Sequence, residues 1–211
     1  MNYRDELEAG RDAFGHLIKV WHERNGWSQR VLPALAERLE LGRVHNSQLS
    51  NLRNRKLASP GPELFVALGR LNQLLARQAG VEGLDPELTE RLADQPELLT
   101  ALQASALPLL AEGGEPLGPA QLFEIFVGLR QPPSAFDLRI AASEAAALSA
   151  ALAELFTAGR PWRQCREQVL AAYPADKRLR RDRFAEVMAG QRDYSAEELD
   201  GELADLRQTL A

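Results

Sequence analysis

Cysteine occurs once in this 211-residue chain, at Cys165. A lone thiol excludes an internal disulfide framework and fits a reducing compartment, so a cytoplasmic location is expected. Histidine is nearly as scarce. His16, His22 and His45, even with that cysteine, give no metal-ligand spacing, and no metal is expected. No stretch approaches the ~18 uncharged apolar residues that a membrane span needs. The opening MNYRDELEAG is polar from its start and does not read as a secretory leader. Val, Ile and Thr are few beside Ala and Leu, and no segment alternates as a strand would. A glycine-rich phosphate loop and a nucleophile–base pair are both missing, so neither an enzyme nor a cofactor is expected.

Helical periodicity is what the chain does have. Apolar residues recur at helical spacing in Leu7, Phe14, Leu17, Ile18 and Trp21. They recur again in Leu64, Leu68, Leu71 and Leu75, and in Leu148, Leu152, Leu155 and Phe156. Breakers such as Asn25-Gly26, Pro60-Gly61-Pro62, Gly113-Gly114 and Pro132-Pro133 separate these runs. Ser28, Asn46 and Ser195 stand where helix N-caps are expected. The fold class read from this pattern is all-α. Trp21, Trp27 and Trp162 are expected to be core anchors rather than stacking platforms, and Cys165 a small buried residue.

Charge is unevenly placed. Residues 1–80 carry 12 Lys and Arg against 8 Asp and Glu, 81–140 carry 3 against 10, and 141–211 carry 10 against 12. The overall −5 therefore conceals a basic first third, and the local field is what steers a phosphate partner. A shift of 135 residues also aligns the two ends without a gap. Trp27 and Gln29 fall on Trp162 and Gln164, Leu35-Ala36 on Leu170-Ala171, and Leu49 and Leu52 on Phe184 and Val187. Three regions are expected: 1–80, an acidic helical middle over 81–140, and a diverged C-terminal copy of the first over 141–211.

Within the first region, a helix from about Gln29 to Leu39 is followed by a short one from about Ser47 to Arg53. Leu49 and Leu52 face inward and hold the short helix to the domain. Ser47, Gln48 and Asn51 face outward, where amide side chains could meet the paired donor and acceptor of adenine in the major groove. Ser50 is small enough for a close helix crossing. Arg53, Arg55 and Lys56, with Arg43 and His45 on the approach, are placed for the flanking phosphates. The short helix is thus a candidate recognition helix for double-stranded DNA.

The stretch "NGWSQ…LPALAERL…NSQLSNLRNRKLASPGPELFVALGRL" resembles the Cro/CI-type helix-turn-helix of bacterial and phage repressors. The resemblance rests on Ser28-Gln29, Leu35-Ala36, Leu49-Ser50, and Arg55-Lys56 followed by Pro60. It implies a transcriptional regulator, and it gives Gln29 a role in anchoring the domain on DNA. In the C-terminal copy, Lys177, Arg178, Arg180, Arg181 and Arg183 cluster at a helix N-terminus, where cations oppose the macrodipole. A phosphate partner would compensate them, so they form a possible second DNA-contact patch.

A helical adaptor using the same units to bind protein is the alternative reading. The apolar segments of the middle, "PELLTALQASALPLL" and "AQLFEIFVGL", are expected to form core or a subunit interface. A homodimer is expected through "LFEIFVGL" and the Ala-rich helix over 141–153, since one short helix reads few base pairs. No effector ligand is legible.

Overall fold

The computed structural model describes residues 2–54, 56, 59–78, 83–173 and 177–210, with side chains through residue 203. Among these residues the chain is all-α: eleven α-helices and no strand, with one isolated bridge between Leu110 and Pro116. No helix is long and apolar enough to cross a membrane. The chain divides into two compact units, Met1–Leu138 and Arg139–Ala211.

The first unit opens with α1 (Tyr3–Asn25). Asn2 caps it through the N–H groups of Arg4 and Asp5, and Gly26 ends it in the left-handed conformation at φ 64°. Next come α2 (Val31–Arg38), α3 (Asn46–Arg53), α4 (Pro62–Gln78), α5 (Pro86–Arg91), α6 (Pro96–Ala104) and α7 (Pro119–Phe126), then a 3-10 turn at Ser134–Phe136. Pro33, within the first turn of α2, is tolerated because the early N–H groups of a helix have no intrahelical partner.

The acidic middle is core-forming rather than a separate region. Helix α7 packs on both α1 and α4, burying Leu122, Ile125 and Phe126. Phe126 meets Phe14 edge-on at 5.8 Å and Phe65 at 5.3 Å. Two glycines permit these approaches. A methyl at Gly10 would lie 2.3 Å from the Gly128 nitrogen, and one at Gly69 would lie 2.3 Å from the Pro119 nitrogen.

Polar side chains then stitch the irregular stretch 101–117 to the helices. Asn72, fully buried, donates to the carbonyls of Leu109 and Leu117 and accepts from the Leu109 N–H at 2.6 Å. Asn25 does the same for Leu107 and accepts from the Ser105 hydroxyl. The Trp21 indole donates to the Leu107 carbonyl, and that of Trp27 to the carbonyls of Ala101 and Ser105. Each buried polar group so satisfied avoids a penalty of about 1–3 kcal/mol.

The second unit holds α8 (Ala145–Thr157), α9 (Trp162–Ala172), α10 (Arg178–Met188) and α11 (Ala196–Leu210). At the 135-residue offset these fall on α1 to α4, and α10 ends at Met188 where α3 ends at Arg53. The principal contact recurs as well: α1 packs on α3, and α8 on α10. Phe184 is the hub, stacked on Tyr173 at 3.9 Å and meeting Phe156 edge-on at 5.2 Å. Ser195 caps α11 as expected, accepting from the Glu198 N–H while Glu198 accepts from its own.

Some sequence identities between the copies do not carry equal roles. Helix α2 buries Val31, Leu32, Leu35 and Ala36, whereas α9 buries Cys165 and Val169, with Ala171 exposed and Leu170 half-buried. Helix α9 is therefore turned by about one residue relative to the alignment. Trp162 is only half-buried where Trp27 is buried, and Leu155, aligned with buried Val20, is 77% exposed.

Candidate nucleic-acid interface

Helix α3 has eight residues, and its inner side is fixed by Leu49 and Leu52, both buried. Its N-cap is His45 rather than Asn46, since the backbone of His45 is extended (φ −95°, ψ 140°) and Asn46 is already helical. Gln48 accepts from the His45 N–H at 3.1 Å, which commits its carbonyl oxygen to the helix start. Ser47 and Asn51 are exposed, and Gln48 is half-buried.

The close crossing of α1 and α3 is made by Gly15, not Ser50. A methyl at Gly15 would lie 2.6 Å from the Leu52 carbonyl oxygen. Helix α3 thus takes α1 as its principal support, while α2 packs on α4 and α6.

Around α3, Gln29, Arg43, His45 and Lys56 are exposed and Arg53 is half-buried. Arg55 lies outside the described residues. Among the described residues no carboxylate stands within ion-pair distance of Arg43, Arg53 or Lys56. Arg30, exposed beside Gln29 and likewise unpaired, joins this set, and adjacency to Gln29 was its only signal in the sequence. On the far side of α2, Arg38 pairs with Asp94 at 2.6 Å and donates to the Arg91 carbonyl.

Behind α3 sits His22, buried on α1, with Nδ1 donating to the Ile18 carbonyl at 2.8 Å and Nε2 buried without a partner. Burial lowers its pKa, the Ile18 hydrogen bond opposes that, and the Arg53 cation lowers it further.

The basic cluster of the second unit behaves differently. Arg180 donates to the Tyr173 hydroxyl at 3.0 Å and to the Glu202 carboxylate at 3.1 Å, while Tyr173 donates to Glu202 at 2.6 Å. Arg181 donates to the Leu170 carbonyl at 2.7 Å, and Arg183 pairs with Glu198 at 3.0 Å. Arg178 makes only an exposed 3.6 Å pair with Asp182, and Lys177 is exposed. Three of the five cations are thus held by groups of the unit itself, so a phosphate partner is not needed to compensate them.

Among the described residues no group of His, Cys, Asp and Glu could hold a metal, and Cys165 is a buried free thiol.

The family model described as Domain of unknown function (DUF8644) matches residues 4–128, more than half of the chain, and the chain belongs to that family. A second, Domain of unknown function (DUF8645), matches residues 145–211. No curated protein and no solved structure matches the chain.

Proposed function

We propose that this chain is a DNA-binding regulator that reads double-stranded DNA through α3. The observation that carries the reading is the separation of roles on one short helix. Leu49 and Leu52 are buried, Ser47 and Asn51 face solvent, and the surrounding cations Arg43, Arg53 and Lys56 lack carboxylate partners among the described residues. Exposed, unpaired cations flanking outward amides form the arrangement that joins phosphate contacts to base contacts. Gln29 and Arg30 at the start of α2 extend the phosphate-facing set.

The test is a gel shift of the full chain on genomic fragments at two salt concentrations. The expected result is binding at low salt that weakens steeply as salt rises. Absence of any shifted species at low salt overturns the reading.

One observation favours a second reading, a helical adaptor that binds protein. Helix α2 packs on α6 of the acidic segment, and its Arg38 is bound to Asp94, so part of the first unit's positive charge is already committed to protein carboxylate. Binding with little salt dependence, to protein and not to DNA, is the outcome that would favour it.

A further inference from the structure

The two units cover the same helix differently. In the first unit, Ala13 and Val20 of α1 are buried. On that side the stretch after α7 runs along α1: Gly128 abuts Gly10, the Leu138 N–H donates to His16 Nε2 at 2.9 Å, and Arg24 lies over the Phe136 ring. The aligned positions on α8 are Leu148, Ala151 and Leu155, matching Ala13, His16 and Val20. There the face is open: Leu148 is 40% exposed, Leu155 is 77% exposed, and Ala147 and Ala151 are exposed between them.

We infer that this face of α8 is the site where a second copy of the chain docks, by antiparallel pairing of α8 with the partner's α8. Charge is the first argument for that occupant. Between Glu144 and Glu154 α8 carries no charge, so a charged partner helix would bury unpaired groups at a cost, whereas α8 meets a second α8 with its apolar stretch opposed and Glu154 at the edge of the face. A two-fold axis through Ala151 brings Glu144 of one copy toward the partner's Arg160, and the same pair repeats on the other side. Antiparallel pairing also sets each helix dipole against its neighbour's. Alanines at 147 and 151 allow close approach, and the two leucines supply the apolar area.

That area argues for a reversible dimer. Thirteen helical residues span about 20 Å, so the buried surface falls at the small end of protein interfaces, below about 1,200 Å². The surface is independent of the DNA reading, although a dimer would double a DNA footprint.

Sedimentation equilibrium of the full chain without DNA, from micromolar to several hundred micromolar, tests the inference. The expected result is an average mass rising from the monomer toward twice its value. In Leu155→Glu, whose side chain is 77% exposed, and in Leu148→Glu/Leu155→Glu the mass should stay monomeric throughout, with the helical signal of the single variant unchanged. Ala151→Cys should form a disulfide-linked dimer on mild oxidation, and Ala146→Cys, off that face, should not. A wild-type chain monomeric at every concentration overturns the inference. So does a dimer indifferent to the double glutamate variant, or one linked through position 146 and not 151.

Discussion

Helices α3 and α10 occupy aligned places in the two units, but α3 carries a single cation, Arg53, with others flanking it in sequence, whereas α10 carries Arg178, Arg180, Arg181 and Arg183. Around α3 the cations are unpaired among the described residues, Arg43 and Lys56 exposed and Arg53 half-buried, and the outward side chains are Ser47 and Asn51. On α10 the corresponding surface is tied down: Arg180 to Tyr173 and Glu202, Arg181 to Leu170, and Arg183 to Glu198. The same helix order therefore serves two uses of arginine. Near α3, Arg43 and Arg53 have no carboxylate partner among the described residues, and on α10 arginine joins helices to one another. A count of basic residues cannot separate these uses, because the carboxylate that decides the matter lies on another helix.

The largest test of this contrast is Glu202→Ala. It removes the buried carboxylate from Arg180 and Tyr173 and should destabilise the second unit by about 3 kcal/mol, the low end for a buried pair because Arg180 is 30% exposed. Denaturant unfolding reads it. Arg43→Ala or Lys56→Ala in the first unit should change stability by no more than about 0.5 kcal/mol.

DNA binding should show the reverse order. Asn51→Ala should cost about 1–3 kcal/mol at one base position, and Lys56→Ala should weaken all sequences alike while lowering the salt slope by about 1. Arg183→Ala should leave DNA affinity unchanged. Equal losses from the Lys56 and Arg183 variants would erase the distinction between the two helices.

Acid should separate the units next. All three histidines lie in the first unit, and burial holds His22 below its ordinary pKa of 6.5. The folded form therefore resists a proton that the unfolded chain accepts, so the first unit should lose stability as pH falls below about 6.5. In the second unit, the Ser195 N–H, then Arg192 and Arg183, hold the Glu198 carboxyl below its ordinary 4.5. That contribution is present above 4.5 and fades only as pH falls through the lowered folded value. Unfolding midpoints between pH 7 and 5 should fall for the first unit alone, and His22→Gln should flatten the decline.

The smallest expected effect is Arg178→Ala. It breaks an exposed 3.6 Å pair with Asp182 and should change stability by about 0.2–0.5 kcal/mol.

Periodicity made the helices legible, together with the inward pairs Leu49/Leu52 and Phe184/Val187 and the outward placement of Ser47 and Asn51. These follow from spacing within one helix. Contacts between distant segments were not legible. Nothing near Asn25 or Asn72 announces that each will bind a stretch tens of residues downstream. Nor does a glycine at 10 or 69 declare that a backbone will press against it. Of the segment "LFEIFVGL", expected to leave apolar surface for a dimer, Leu122, Ile125 and Phe126 are buried within the first unit while Phe123 and Leu129 are exposed. The rotation of about one residue between α2 and α9 was hidden by a Leu-Ala identity that says nothing about which side of the helix is covered.

Because α7 completes the packing of α1 and α4, the first unit cannot close until the chain has been made at least through Phe126. Some hundred residues separate Gly10 from its contact at Gly128. At ribosomal rates of about 5–20 residues per second, Phe14 waits roughly 6–25 seconds for Phe126 to emerge. Throughout that interval a nascent chain lacks the Phe126 ring that packs on Phe14 and Phe65 in the finished unit.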